Sequence, residues 1–175
     1  LALPGISGYE DAVRDFVLTR IRELGPTTVD AIGNVRLELG TSGPRILLVA
    51  HMDEVGLLVS GIDADGAVRF EKVGTIDNRL LAGQRVEIHT SQGTLVGVIG
   101  ATPPHYGGSE GATPDSLAID VGALDFAGVE ALGVSVLDPI TFVKTPRIMA
   151  GTRLNCRAID DRVGCALVLW TAEHA

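Results

Sequence analysis

The chain has 175 residues, of which 46% are hydrophobic and 21% are charged, a composition typical of a soluble globular protein. Its 14 basic and 22 acidic residues give a formal net charge of −8, which argues against a nucleic-acid or anionic-membrane partner. The length allows one domain or two small ones, and no apolar run approaches the roughly 18 residues of a membrane-spanning helix.

The two cysteines, Cys156 and Cys165, form neither a disulfide framework nor a C-x-x-C metal site. Reduced thiols in a cytosolic protein are the simplest interpretation of this pattern. We therefore predict a cytoplasmic location.

The first predicted element is an amphipathic helix of about five turns. Ser7 and Glu10 have the spacing of a capping box, in which each side chain satisfies an amide of the first helical turn. Gly25 is suited to end the helix. The apolar positions between them follow the helical period: Val13, Phe16, Val17, Ile21 and Leu24.

A hairpin is predicted next, with strands 27–30 and 35–39, and is followed by the apolar run 46–50. This run predicts a strand buried on both faces, as in the middle of a helix-covered sheet. His51 and Asp53 come directly after it and should project from the same face, about 7 Å apart. A histidine beside a carboxylate at such a strand end is typical of a catalytic or metal site, although a histidine satisfied by local hydrogen bonds is the alternative.

Short strands at close spacing fill the middle of the chain and suggest a small barrel or sandwich. A helix is predicted at 125–132, and the composition of 102–116, which includes His105, indicates a loop. A mobile surface excursion is one interpretation of that loop. The predicted strands are 55–62, 68–73, 85–89, 94–99, 117–121 and 140–143.

Helical character returns after Cys156, with Asp160 and Asp161 near the start of an apolar helix. Carboxylates at this position are favoured by the helix dipole, so capping is one explanation for both. The chain therefore begins and ends in α/β material and carries a β-only insert between the two segments.

Five motifs in this order resemble the M42 family of metallo-aminopeptidases, the group of tetrahedral (TET) and glutamyl aminopeptidases. The motifs are Pro4-Gly5-Ile6-Ser7-Gly8-Tyr9-Glu10, Gly33-Asn34-Val35, His51-Met52-Asp53-Glu54-Val55-Gly56, Ile119-Asp120-Val121-Gly122 and Asp160-Asp161-Arg162-Val163-Gly164.

The resemblance implies an α/β fold: a zinc-peptidase (phosphorylase/hydrolase-like) domain, incomplete here, with an inserted small all-β barrel-like dimerisation domain. The implied boundaries are 1–53 and 144–175 for the two segments of the catalytic domain and 54–143 for the insert. The implied activity is hydrolysis of N-terminal residues from peptides through a water activated by two divalent metal ions, zinc or cobalt. The implied assembly is a homodimer, with six dimers forming a tetrahedral dodecamer. In that assembly the loop 102–116, with His105, would lie near the dimer or chamber side.

The resemblance also assigns site residues. His51 resembles the family's first metal ligand, and Asp53 resembles the catalytic-site carboxylate that orients it. Asp160 resembles the aspartate that bridges the two metals, and the resemblance implies a cis peptide bond between Asp160 and Asp161. Asp161 and Arg162 are expected to support this bridge.

The family pattern continues with a Glu-Glu pair, an aspartate ligand and a second histidine ligand, none of which is in this sequence. We therefore expect the 175 residues by themselves to be inactive, and an assembly module without activity is one alternative. A related di-metal amidohydrolase is another, although the insert directly after Asp53 favours the M42 family. Nothing in the sequence resembles a glycosidase carboxylate pair.

Overall fold

A computed structural model describes residues 1–101, 116–143 and 145–175, and these residues form two compact units. The first unit consists of Leu1–Glu54 together with the segment from residue 144 to Ala175, and the second unit is Val55–Val143. The predicted loop at 102–116, with His105, lies outside the described residues except for Ser116. None of the helices in the described part of the chain is both long and apolar enough to span a bilayer.

The first helix of unit 1, α1, spans Asp11–Ile21 and is shorter than predicted. Its N-cap is Glu10, whose side chain makes no capping bond and instead accepts the Gly8 amide at 2.8 Å. Gly8 has a φ of 88°, and the Tyr9 amide donates to the Ile6 carbonyl, so the preceding residues form a turn. The predicted capping box is therefore wrong, because this turn directs Ser7 away from the helix.

Two short hairpins and a second long helix complete the regular structure of unit 1. The first hairpin pairs β1 (Thr27–Val29) with β2 (Val35–Leu37), as predicted from the turn residues. The second pairs β9 (Arg147–Ile148) with β10 (Leu154–Asn155), which the sequence pattern did not indicate. Helix α3 spans Ile159–Glu173 and contacts α1 through an ion pair of 2.6 Å between Arg20 and Glu173.

The apolar run 46–50 differs from its prediction. Within the described residues it pairs with no strand, and its first four side chains are between 52% and 86% exposed. The nearest backbone pairing is a single parallel bridge between Ile6 and Glu54. The predicted doubly buried strand is therefore wrong for the described chain. The physical reason is that an apolar run favours burial of its side chains, whereas a strand also requires neighbouring strands that pair with its backbone N–H and C=O groups.

Unit 2 is a closed barrel of six antiparallel strands in the order β3-β4-β7-β6-β5-β8. The strands are β3 (Gly56–Ile62), β4 (Val68–Val73), β5 (Arg85–Thr90), β6 (Gly93–Ala101), β7 (Leu117–Asp120) and β8 (Pro139–Phe142). The barrel-like insert that the sequence predicted is thus confirmed. Closure removes the free strand edges that an open sheet of this size would expose.

The core of unit 2 follows from the two-residue alternation of its strands. Val86 and Ile88 on β5 and Leu117 and Ile119 on β7 are fully buried, whereas the residues between them are more exposed. Helix α2 (Phe126–Ala131) adds the buried Val129, and Asp125 caps this helix by accepting the Gly128 amide at 2.8 Å. The two-residue alternation of the strands therefore accounts for the core of the barrel.

Gly97 and Gly100 on β6 provide a matched test of packing in the barrel. A Cβ atom at buried Gly97 would lie 2.5 Å from Cγ2 of Ile119, whereas at exposed Gly100 it would meet only the Ala118 oxygen, at 3.8 Å. We expect Gly97→Ala to lower the free energy of unfolding by about 1–3 kcal/mol through overpacking. Gly100→Ala should be neutral or stabilising by up to about 1 kcal/mol. Denaturant unfolding followed by circular dichroism measures both, and equal effects would contradict the packing argument.

Candidate metal centre

His51 lies between two carboxylates in unit 1. Its Nδ1 is 2.8 Å from Oδ1 of Asp53, and its Nε2 is 3.1 Å from Oδ1 of Asp160, which is 109 residues away in the sequence. The Asp160 side chain is 95% exposed, so its carboxylate is open to solvent. The structure therefore brings together the three residues that the sequence singled out: His51, Asp53 and Asp160.

The protonation of this group follows from its contacts. Burial lowers the pKa of His51, but the hydrogen bonds to Asp160 and Asp53 outweigh it, and the net pKa is raised above the ordinary value. The pKa of Asp53 is lowered, chiefly by a hydrogen bond from Ser7 and further by His51, so this carboxylate is ionised at neutral pH. An ionised carboxylate only accepts, so Nδ1 of His51 carries the proton in this contact.

Asp160 and Asp161 open helix α3 with non-helical backbone angles, and the peptide bond between them is cis. The cis bond that the resemblance implied is thus confirmed. Asp161 accepts the Gly164 amide at 3.0 Å, which is a capping contact, and a Cβ atom at Gly164 would overlap the Asp161 carboxylate. Asp161 therefore has the capping role that the sequence offered as an alternative, and Asp160 is left to face His51.

Arg162 connects the site to the start of the chain. Its guanidinium is buried and donates to the carbonyl oxygens of Met52, Leu3 (3.1 Å) and Gly5 (3.3 Å). It also lies 3.8 Å from buried Glu54. The expected supporting role of Arg162 thus has a geometric basis, because one side chain fixes both the N-terminal segment and the backbone between His51 and Asp53.

Glu54 and Arg157 extend this buried group. Arg157 lies 3.2 Å from Glu54 and donates to the Ala2 carbonyl at 2.9 Å. Burial raises the pKa of Glu54, and the two nearby arginines oppose that rise. The buried carboxylate of Glu54 therefore has two guanidinium groups as partners inside unit 1.

Cys165, on helix α3, forms a hydrogen bond with the backbone of His51. Its Sγ donates to the His51 carbonyl oxygen at 3.1 Å, and burial raises the pKa of the thiol, which keeps the donor protonated. Cys156 and Cys165 are both free thiols. The cytoplasmic location inferred from them stays a prediction.

Ser7 is the site residue that sequence reasoning assigned to another role. Its hydroxyl group donates to Oδ2 of Asp53, the oxygen that His51 does not use. The capping pattern with Glu10 concealed this contact, because local spacing cannot reveal a partner 46 residues away. The available signal was the position of Ser7 in a motif that resembles the M42 family.

His51 and Asp160 fit a divalent metal ion in chemistry and in spacing. Imidazole and carboxylate both ligate zinc and cobalt. Two such ligand atoms on one tetrahedral ion lie roughly 3.3–3.6 Å apart, close to the observed 3.1 Å. Within the described ranges, no group of three or more His, Cys, Asp or Glu side chains is arranged to hold an ion. The described chain therefore brings together two candidate ligands, His51 and Asp160.

The chain is similar to known aminopeptidases. The M42 glutamyl aminopeptidase family matches residues 33–175. The glutamyl aminopeptidase of Lactococcus lactis is 35% identical over 95% of this chain and 50% of its own length. The lysyl aminopeptidase of Pyrococcus furiosus is 31% identical over 91% of this chain and 48% of its own.

Among solved structures, the TET1 peptidase of Pyrococcus horikoshii superimposes with a TM-score of 0.91 at 41% identity. The match covers 99% of this chain and 53% of that one, and that peptidase can assemble into a tetrahedron or a large octahedral shell. The fold is thus the α/β peptidase fold with its inserted barrel. The chain belongs to the M42 glutamyl aminopeptidase family. It spans about half the length of the curated relatives it matches.

The buried Arg162 can be tested against an exposed arginine of the same unit. Arg162→Met should lower the free energy of unfolding by about 3–5 kcal/mol, because it leaves buried Glu54 and three carbonyl groups without their shared partner. Arg36→Met should change it by less than about 1 kcal/mol, because Arg36 is 67% exposed and its ion pair with Glu38 lies at the surface. Denaturant unfolding measures both variants. A similar small effect for the two would contradict the anchoring role of Arg162.

Proposed function

We propose that this protein is part of a metal-dependent aminopeptidase that hydrolyses N-terminal residues from peptides. The observation that carries the proposal is the 3.1 Å approach of His51 Nε2 to Asp160 Oδ1, between residues 109 positions apart. Family membership supports the reaction class. The two relatives are named for glutamyl and lysyl residues of opposite charge, so peptides with a free N-terminus are the proposed substrate class.

Each of the three residues has a distinct role in this proposal. His51 would bind the metal through Nε2, because its Nδ1 proton is held by Asp53. The exposed Asp160 carboxylate has two oxygens and would contact both ions of a pair. When bound there, two divalent ions, zinc or cobalt, would supply Lewis acidity toward the scissile carbonyl and would lower the pKa of a water molecule. The protein residues contribute orientation: Asp53 sets the tautomer of His51, and Arg162 fixes the backbone between them.

Metal binding is expected to depend on His51, on Asp160 and on pH. In the full-length protein, His51→Ala and Asp160→Ala should each abolish Co²⁺ binding in calorimetric titrations and abolish aminopeptidase activity, while His174→Ala should retain both. Affinity should fall as the pH falls through the raised pKa of His51, because the proton competes for Nε2. Wild-type affinity in His51→Ala would contradict the proposed site.

We also propose that the full-length protein is a homo-oligomer built from dimers, six of which form a tetrahedral dodecamer. The barrel of unit 2 presents exposed apolar side chains, among them Val96, Val136 and Leu137. A two-fold pair is the simplest closed arrangement that would cover such a surface.

Sedimentation velocity of the full-length protein tests this assembly at micromolar concentration with and without Co²⁺. The expected result is a dimer or a discrete multiple of it. Val136→Asp should shift the distribution toward monomer, because it places a charge in an apolar contact, whereas Thr75→Asp, at an exposed polar position of the same unit, serves as the surface control. A wild-type protein that stays monomeric in both conditions would contradict the proposal.

A further inference from the structure

Asp53 has two oxygens, and each accepts a hydrogen bond from a different segment of unit 1. Oδ1 faces Nδ1 of His51 at 2.8 Å, and Oδ2 accepts the hydroxyl group of Ser7. A carboxylate held at one oxygen can still turn about its Cβ–Cγ bond. A donor on each oxygen restricts that rotation and fixes the plane of the carboxylate.

Ser7 is itself held in place by the residues just before it. The Glu54 amide donates to the Gly5 carbonyl at 2.9 Å, and Ile6 forms a parallel bridge with Glu54. Ile6 is fully buried, and Arg162 also donates to the Gly5 carbonyl. The backbone leading into Ser7 is therefore paired with the backbone leading out of Asp53.

The other roles open to Ser7 do not account for its contact. Helix α1 begins at Asp11 with Glu10 as its N-cap, so Ser7 does not cap it. Ser7 is also exposed, and a hydrogen bond that water can replace contributes little to the stability of the fold.

We propose that Ser7 is a positioning residue for the metal centre: its hydroxyl group locks the Asp53 carboxylate in the orientation that keeps His51 protonated at Nδ1 and aims Nε2 toward Asp160. This inference rests on the metal-dependent function proposed above. A neutral imidazole has two tautomers, and only the one with its proton on Nδ1 offers the Nε2 lone pair to an ion. Partners that orient ligands in this way typically change metal affinity by about 10–100-fold.

The test compares Co²⁺ binding by Ser7→Ala, Ser7→Thr and Ser42→Ala in the full-length protein, using the visible absorption of Co²⁺ and competition with a chelator. Ser7→Ala should raise the Kd by about 10-fold, the lower end of the range for such partners. Ser7→Thr keeps a hydroxyl group and should stay close to wild type. Ser42, an exposed serine of the same unit, is the matched control and should have no effect.

Two further measurements separate positioning from a purely structural role. The melting temperature of metal-free Ser7→Ala should stay within about 2 °C of wild type, as for a surface substitution. Because Ser7 acts through Asp53, adding Ser7→Ala to Asp53→Ala should cause no additional loss of affinity.

An unchanged Kd in Ser7→Ala, a Ser7→Thr variant as weak as Ser7→Ala, or additive losses in the double variant would each overturn the role of Ser7. A wild-type protein that binds no Co²⁺ would instead overturn the proposed function on which this role rests. The two failures are therefore distinguished by the wild-type titration alone.

Discussion

The candidate metal centre depends on the buried guanidinium of Arg162. A guanidinium group has five N–H donors, and burying it without hydrogen-bond partners costs free energy. A fold that buries it must therefore place acceptors such as backbone carbonyl oxygens around it. Here those carbonyls belong to Leu3, Gly5 and Met52, which lie 159, 157 and 110 residues away in the sequence. The same contacts that satisfy Arg162 thereby fix the segments that carry Ser7, His51 and Asp53.

The two units bury different kinds of side chains. The barrel has a continuous core of buried aliphatic side chains and one phenylalanine, Phe70, and its strands close on themselves. In unit 1 the described residues include a buried ionic group of Glu54, Arg157 and Arg162. Such a group requires correct geometry more strictly than apolar packing does, which suits a site where ångström-scale placement matters.

The proposed metal-binding side chains and the side chains that support them differ in their exposure to solvent. His51 and Asp160 are open to solvent, whereas Arg162 and Glu54 are buried behind them. In the proposed function, this exposure would let substrate reach the two side chains while the buried residues keep their orientation. Ser7 lies between these two groups, because its backbone is anchored by buried contacts and its hydroxyl group reaches the exposed side.

The sequence by itself determined the strands of the barrel and the hairpin at Gly33. It also contains, in order, the motifs whose resemblance to one family singled out His51, Asp53 and Asp160. These features depend on local periodicity, on turn residues with positive φ and on short motifs, all of which can be identified along the chain. Tertiary structure decided the rest. Ser7 and Glu10 satisfied the local rule for a capping box, yet Ser7 bonds Asp53 because a partner 46 residues away competes for its hydroxyl group. The apolar composition of 46–50 predicted burial, but its first four side chains are exposed in the described chain. Composition shows that a segment favours burial, whereas burial itself requires packing partners that composition does not specify.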